Sequence, residues 1–188
     1  DTIVFSSSDR TTGLLSVAAG GGEPKVLSTP DTAHGELDHA MPFVLPGGRA
    51  VLFTITAQGQ AMDNAQVAVL DLKTGQKKTL IRGGSDARYV DTGHLVYAAA
   101  GTLRAVRFDL GRLEVTSDPV PVVEKVTMSG TIGTADYALS QNGTLVYVPG
   151  GIGGATIRSL AWVNRQGREE PIKAPTRAYV LPRISPDG

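Results

Sequence analysis

With 188 residues the chain has room for one domain or two small ones, and its composition (41% hydrophobic, 19% charged, 23 glycines and 11 prolines spread throughout) fits a turn-rich β protein rather than a helical bundle or a disordered segment. Eighteen basic residues balance eighteen acidic ones, so no net field draws in nucleic acid or an anionic membrane surface. The lack of cysteine excludes disulfides, thiolate zinc sites and a cysteine nucleophile, and no apolar run approaches the roughly 18 residues of a membrane-spanning helix.

In chain order, the first strand is expected over Thr2 to Ser6, around the triplet Ile3-Val4-Phe5. Runs at Leu14 to Val17 and Pro24 to Leu27 follow, joined by Gly20-Gly21-Gly22, and a fourth run, Met41 to Leu45, leads into the turn Pro46-Gly47-Gly48. The series then restarts with Val51-Leu52-Phe53, Gln66 to Leu70, the hairpin tip Thr74-Gly75, Lys77 to Ile81, Ala87 to Val90 and the turn Asp91-Thr92-Gly93. A third pass reads Leu95-Val96-Tyr97, Leu103 to Phe108, Val120 to Val123, Ala135 to Leu139 and Gln141-Asn142-Gly143, with a longer connection through Leu110-Gly111-Arg112 and Asp118-Pro119. The fourth reads Leu145-Val146-Tyr147, Leu160 to Val163, Gln166-Gly167, Glu170 to Lys173, Tyr179 to Ile184 and Pro186-Asp187-Gly188.

The aromatic third members of the triplets recur at intervals of 48, 44 and 50 residues, and the last glycines of the turns at 45, 50 and 45. Two markers with one drifting period define repeats at approximately 1–48, 49–93, 94–143 and 144–188 of a single domain or fragment spanning 1–188. Four short strands with glycine-tipped hairpins in each repeat are the pattern of propeller blades, because one such sheet has two apolar faces that only neighbouring sheets can bury. The expected fold class is therefore all-β, a β-propeller of four-stranded antiparallel blades. The strand before each glycine turn is expected to be innermost, so the chain starts on the second strand of one blade and ends after the first strand of another. This leaves open a closed four-bladed ring, with Tyr179 to Ile184 completing the blade of Thr2 to Ser6, or an arc of a larger ring, whose open strand faces would favour a homo-oligomer. The chain opens at Asp1 without Met or a signal peptide and stops at a turn, and is expected to be a piece of something longer.

The segment Pro182-Arg183-Ile184-Ser185-Pro186-Asp187-Gly188 resembles the Pro-x-(apolar)-Ser-Pro-Asp-Gly signature of TolB-like, WD-repeat-related β-propellers, with a looser copy at Pro42-Phe43-Val44-Leu45-Pro46-Gly47-Gly48. The segment from Leu160 to Glu170, and Gly35-Glu36-Leu37-Asp38-His39, are similar to propellers appended to bacterial membrane serine/threonine kinases. The resemblance implies a periplasmic or extracytoplasmic setting and a sensing or binding role. Similar propellers also gate substrate access in prolyl-oligopeptidase-like serine peptidases, a second reading that requires a catalytic domain beyond these residues.

Catalytic motifs are missing: there is no Gly-x-Ser-x-Gly elbow, His-Glu-x-x-His pair or Walker loop. The run Gly150-Gly151-Ile152-Gly153-Gly154 lacks a following Lys-Ser/Thr and leads toward a strand, so it is read as a hairpin loop rather than a phosphate cradle. His34, Glu36, Asp38 and His39 are metal-ligand types at strand spacing, and a metal-dependent hydrolase would have to use them. Aligned on the glycine turns, however, His39 coincides with Gly84, Thr134 and Tyr179 at the start of inner strands. These positions, with Asp38, Asp86 and Arg177, are expected to form a polar ring at a channel mouth that receives a ligand or peptide, with no metal and no cofactor. His94 is expected at a surface strand edge, and Trp162, sharing a strand face with Leu160, is expected to pack between blades. The sequence thus points to a non-enzymatic scaffold for a protein, peptide or small ligand, with no nucleic-acid partner and no membrane contact by this segment.

Overall fold

The computed structural model describes residues 1–188 apart from 8, 10, 58–63, 131–132, 153–158, 178, 180–181 and 185–188. The last glycine turn, Pro186-Asp187-Gly188, thus lies outside the described residues, as do Gly153-Gly154 of the glycine run and part of the stretch from Tyr179 to Ile184. The chain divides into two compact units, Asp1–Ala87 and Arg88–Gly188.

In the first unit, β1 (Thr2–Ser6), β2 (Leu14–Ala18) and β3 (Lys25–Val26) form one antiparallel sheet in that order. A second sheet follows the order β4 (Glu36–Val44), β5 (Ala50–Ala57), β6 (Gln66–Asp71) and β7 (Lys77–Arg82), each strand antiparallel to the one before. The sequence Ala-Val-Leu-Phe-Thr-Ile-Thr-Ala of β5 shows why that strand is central. Its first six residues are all buried, so both faces of the pleat meet protein. Leu14, Val51, Phe53, Ile55, Ala68 and Leu70 make the core of this unit, and complete burial of each larger side chain stabilises by about 1.5–3 kcal/mol.

Strand β8 (Ser85–Val90) carries the chain into the second unit and begins a sheet with β9 (His94–Ala99) and β10 (Thr102–Asp109). The outer side of β10 is shared. Its far end pairs with β11 (Glu114–Val115) and its near end with β12 (Val120–Val123), through Phe108 opposite Val115 and Leu103 opposite Val123. This fifth strand is absent from the sequence expectation. It arises because the long connection after Asp109 folds back on itself, with Asp109 Oδ1 accepting the Arg112 N–H (2.9 Å) and Leu113 in the left-handed region at φ 55°. The last sheet runs β13 (Tyr137–Leu139), β14 (Leu145–Tyr147), β15 (Ala161–Val163) and β16 (Glu169–Pro171). Its antiparallel register sets Tyr137 opposite Tyr147 and Val146 opposite Trp162. Tyr137, Tyr147, Leu145, Leu103, Val126 and Met128 belong to one buried cluster in this unit.

The chain is thus all-β, a succession of antiparallel propeller blades. Among the described residues the first blade shows three strands. The main departure from expectation is β4, which begins five residues before Met41. Its register shifts between Ala40 and Phe43, and Met41 adopts φ 55°. Pro42 has no N–H to give to a ladder, so the strand accommodates it in this bulge and continues on either side.

Candidate binding site

Of the predicted channel residues, Asp38 and His39 take their places from β4 and Asp86 from β8, while Thr134, Arg177 and Tyr179 lie outside the strands. In the first unit, the bulge in β4 leaves His39 facing the core, where it is fully buried with its ring 4.8 Å from that of Phe53. Nδ1 lies 2.8 Å from Ser28 Oγ and Nε2 lies 2.9 Å from Glu36 Oε2. Ser28 Oγ also accepts the Leu14 N–H (3.0 Å), which leaves its own proton for Nδ1 and puts the imidazole proton on Nε2 toward Glu36. The Glu36 carboxylate further accepts the Asp31 N–H (2.7 Å) and Lys77 Nζ (2.6 and 2.7 Å to its two oxygens). Burial pushes the Glu36 carboxyl upward, but the bonds from Asp31, Lys77 and His39 outweigh it and hold the group below the ordinary glutamate range. Burial lowers His39 despite the opposing pull of Glu36, so the imidazole is neutral.

Ser28, His39 and Glu36 therefore stand in the order of a serine, histidine and acid triad. They leave no space for the chemistry of one. A Cβ placed on Gly13 would lie 2.6 Å from His39 Nδ1 and 2.8 Å from Ser28 Oγ, so the backbone of Gly13 already occupies the approach to that hydrogen bond. The network ties the end of the first sheet to β4.

The expectation that His39 and Asp86 face an open mouth is corrected accordingly. Both are closed off from solvent, at 0% and 3% exposure, and the Asp86 backbone N–H donates to Thr54 Oγ1 within the core (2.9 Å). Asp38 is half-buried and accepts the His39 N–H through Oδ1 (2.7 Å). His34 is drawn off to Asp31, Nδ1 to Oδ2 at 2.7 Å, in the 3-10 turn Thr32–His34. Among the described residues no group of three or more histidine or carboxylate side chains converges on a metal position. In the second unit Thr134 is half-buried and its carbonyl accepts the Ser129 N–H (2.9 Å). Arg177 is exposed, and Tyr179 is held beside it, its N–H donating to the Arg177 carbonyl (2.9 Å) and its hydroxyl to that of Pro175 (2.5 Å).

The second unit also contains a concavity that the sequence reading did not anticipate. On β15, Ala161 and Val163 point inward, which turns the intervening Trp162 outward at 41% exposure. The expected packing of Trp162 between blades is therefore corrected: it stands on the opposite face and lines a depression of about 530 Å³ with Asn142, Thr144 and Arg165. A groove of about 570 Å³ shares Gly143, Val163, Asn164, Arg165 and Gln166 with it as lining residues. The groove is walled by apolar side chains of the last two sheets, among them Val96, Ala105, Val122, Leu139 and Val163. His94 borders it, with Nδ1 3.1 Å from Thr92 Oγ1.

Two turns build the polar end of this groove. Asn164 Oδ1 accepts the N–H groups of Gln166 and Arg168 (both 3.0 Å), closing the hairpin whose tip is Gln166-Gly167. Asn142 Oδ1 accepts the Thr144 N–H (3.1 Å) in the turn before β14. Arg165 Nη2 donates to the Asn142 carbonyl, and a Cβ on Gly143 would lie 3.5 Å from both Nε and Nη2, so the guanidinium lies against the glycine of that turn. An apolar cleft of this size with a few fixed polar groups at one end is the form taken by binding sites for small molecules and peptide side chains. Ala161, Trp162 and Val163 are all apolar, so the sequence carries no alternation that tells which face Trp162 takes.

No protein-family model matches the chain. No curated protein matches it in sequence. Solved structures match it in fold. Regucalcin, a calcium-binding protein from Agrobacterium tumefaciens, aligns with TM-score 0.66 at 12% identity over 98% of this chain and 64% of its own. A putative TolB from the same organism aligns with TM-score 0.66 at 13% identity over 100% of this chain and 66% of its own. Puromycin hydrolase aligns with TM-score 0.66 at 17% identity over 92% of this chain and 28% of its own. The chain spans at most about two-thirds of the length of each of these proteins. Likeness at this identity establishes the shared propeller fold and nothing of the chemistry.

Proposed function

We propose that the chain is a non-catalytic propeller scaffold that recognises a peptide segment of a partner through the groove in its second unit. The observation that carries this reading is the groove itself: apolar walls, an adjoining exposed Trp162 and a polar end fixed by two turns. A preformed cleft spares the ordering cost that a flexible surface would incur on binding. The resemblance to TolB-like propellers favours a setting outside the cytoplasm, as a periplasmic sensor. The resemblance of the segment from Leu160 to Glu170 to kinase-appended propellers favours attachment to a bacterial membrane serine/threonine kinase.

A peptide-display selection on the intact chain tests the binding reading. Enriched sequences should lose at least about tenfold in affinity against Val122→Asp, which puts a charge on the groove wall at a side chain already 43% exposed and so spares the core. No enrichment, or enrichment indifferent to this substitution, overturns it. The likeness to puromycin hydrolase favours a second reading, a propeller that gates substrate to an attached peptidase domain. Flanking coding sequence decides between the two: a kinase domain with a membrane span upstream supports the sensor, and a Gly-x-Ser-x-Gly segment downstream supports the peptidase.

A further inference from the structure

The charge around the groove is one-sided. Arg165 is the only lining residue with a permanent charge, His94 is the only other titratable one, and no carboxylate lines the groove among the described residues. Arg165 is also held in place. Its contact with the Asn142 carbonyl uses Nη2, and it rests against Gly143, which has no side chain to intervene. A guanidinium carries five N–H donors in a rigid fork, and one contact to a carbonyl leaves the others for a planar anion, which it binds through two parallel hydrogen bonds. Apolar walls beside a fixed, unneutralised guanidinium call for a ligand with an apolar body and a carboxylate at one end.

We infer that the groove captures the C-terminus of a peptide, with the last side chain, large and apolar, among Val96, Val122, Leu139 and Val163, and with the α-carboxylate on Arg165. The inference rests on the groove being the binding surface and adds which chain end enters it. A C-terminus is the one place in a polypeptide where an apolar side chain and a carboxylate share a single residue. Trp162 is the only tryptophan and lines the depression that shares Arg165 with the groove, so its fluorescence reports occupancy without a label.

The test uses the whole chain and two acetylated tetrapeptides ending in leucine, one with a free α-carboxylate and one capped as the carboxamide, titrated by Trp162 fluorescence and calorimetry. The acid should bind at least about tenfold more tightly than the amide, as expected for a charge-assisted bidentate pair. Arg165→Gln should erase that ratio while leaving the weaker affinity for the amide in place. Equal affinity for acid and amide in the unsubstituted chain overturns carboxylate capture and leaves the groove reading intact. Binding of neither peptide overturns capture of an apolar C-terminus, and the groove reading is then judged separately by the display selection. An acid preference that survives Arg165→Gln overturns the role of Arg165.

Discussion

His39 shows how a residue with the chemistry of a site becomes part of the frame. Its ring is buried, its two nitrogens are both bonded, and the groups that face it are Ser28, Glu36, Asp38 and Lys77, of which Glu36 stays ionised. Because folding lowers the histidine from its ordinary value near 6.5, the unfolded chain takes up a proton at a higher pH than the native one. The stability that His39 contributes is therefore complete above about pH 7 and is lost as the pH falls from there toward its lowered native value. Glu36, also lowered, acts in the same direction farther down, below its ordinary value of 4.5. Urea unfolding of the intact chain at pH 7.5 and pH 5.5 should show a clear loss of stability at the lower pH, and His39→Gln should flatten that difference whatever its own baseline. Equal pH slopes in the two proteins would falsify the neutral-imidazole assignment. The sequence displayed His39 and Glu36 as neighbours of suitable type, but it could not display Ser28 and Lys77 as their partners. Those contacts span 11 and 41 residues and depend on how β4 bulges around Pro42. Trp162 misled for a related reason: pairing it with Leu160 selected a face of β15, and packing of Ala161 and Val163 selected the other.

At the level of the strands, glycine turns and apolar triplets are short-range signals, which explains why the strands stand close to where the repeat put them. Phe53, Tyr97 and Tyr147, the aromatic members of three triplets, are all buried second strands of their blades. What the repeat concealed is a second punctuation mark at the base of the outer hairpins. Asp71 Oδ1 accepts the N–H groups of Lys73 (2.9 Å) and Thr74 (3.1 Å), Asp109 Oδ1 that of Arg112, and Asn164 Oδ1 those of Gln166 and Arg168. Gly75 and Gly167 provide the positive φ in their hairpins and Leu113 in the one after Asp109, while the Asp or Asn side chain accepts N–H groups of the turn. These residues do not keep a constant distance from the triplets, because the third strand and the stretch that leads into it differ in length from blade to blade, so a search at fixed period passes over them. Asp71 carries an additional bond, from Arg49 Nη2 to Oδ2 at 3.1 Å, and the Thr74 N–H leads the contacts that hold its carboxyl below the usual aspartate range. Asp71→Ala should lower the thermal midpoint, and Asp71→Asn should restore part of the loss, since an amide oxygen still accepts from Lys73 and Thr74 while the ion pair with Arg49 is gone. A differential scanning measurement in which asparagine is no better than alanine would show that charge, not turn geometry, is what the position supplies.

For the molecule as a whole, the even count of 18 basic and 18 acidic residues sets how any anionic partner reaches it. A strongly charged protein steers partners over many ångströms, and its affinity falls steeply with salt as counterions are released or fields are screened. A neutral chain has no such long-range field, so the electrostatics of binding contract to the contact itself. For a peptide carboxylate on Arg165 that contact is a single ion pair at an exposed turn, which salt weakens only moderately. Raising sodium chloride from about 0.05 to about 0.5 M, which shortens the screening length from roughly 14 Å to roughly 4 Å, should therefore weaken the acid tetrapeptide by less than about tenfold. The same change should leave the carboxamide form essentially unaffected, and Arg165→Gln should bring the two salt profiles together. Double-stranded DNA, which rewards clustered lysine and arginine, should show no retention at physiological salt. A loss of several hundredfold for the acid peptide over that salt range would mean that several cations act together at the site, and a partner of much higher charge than one C-terminus would then be required.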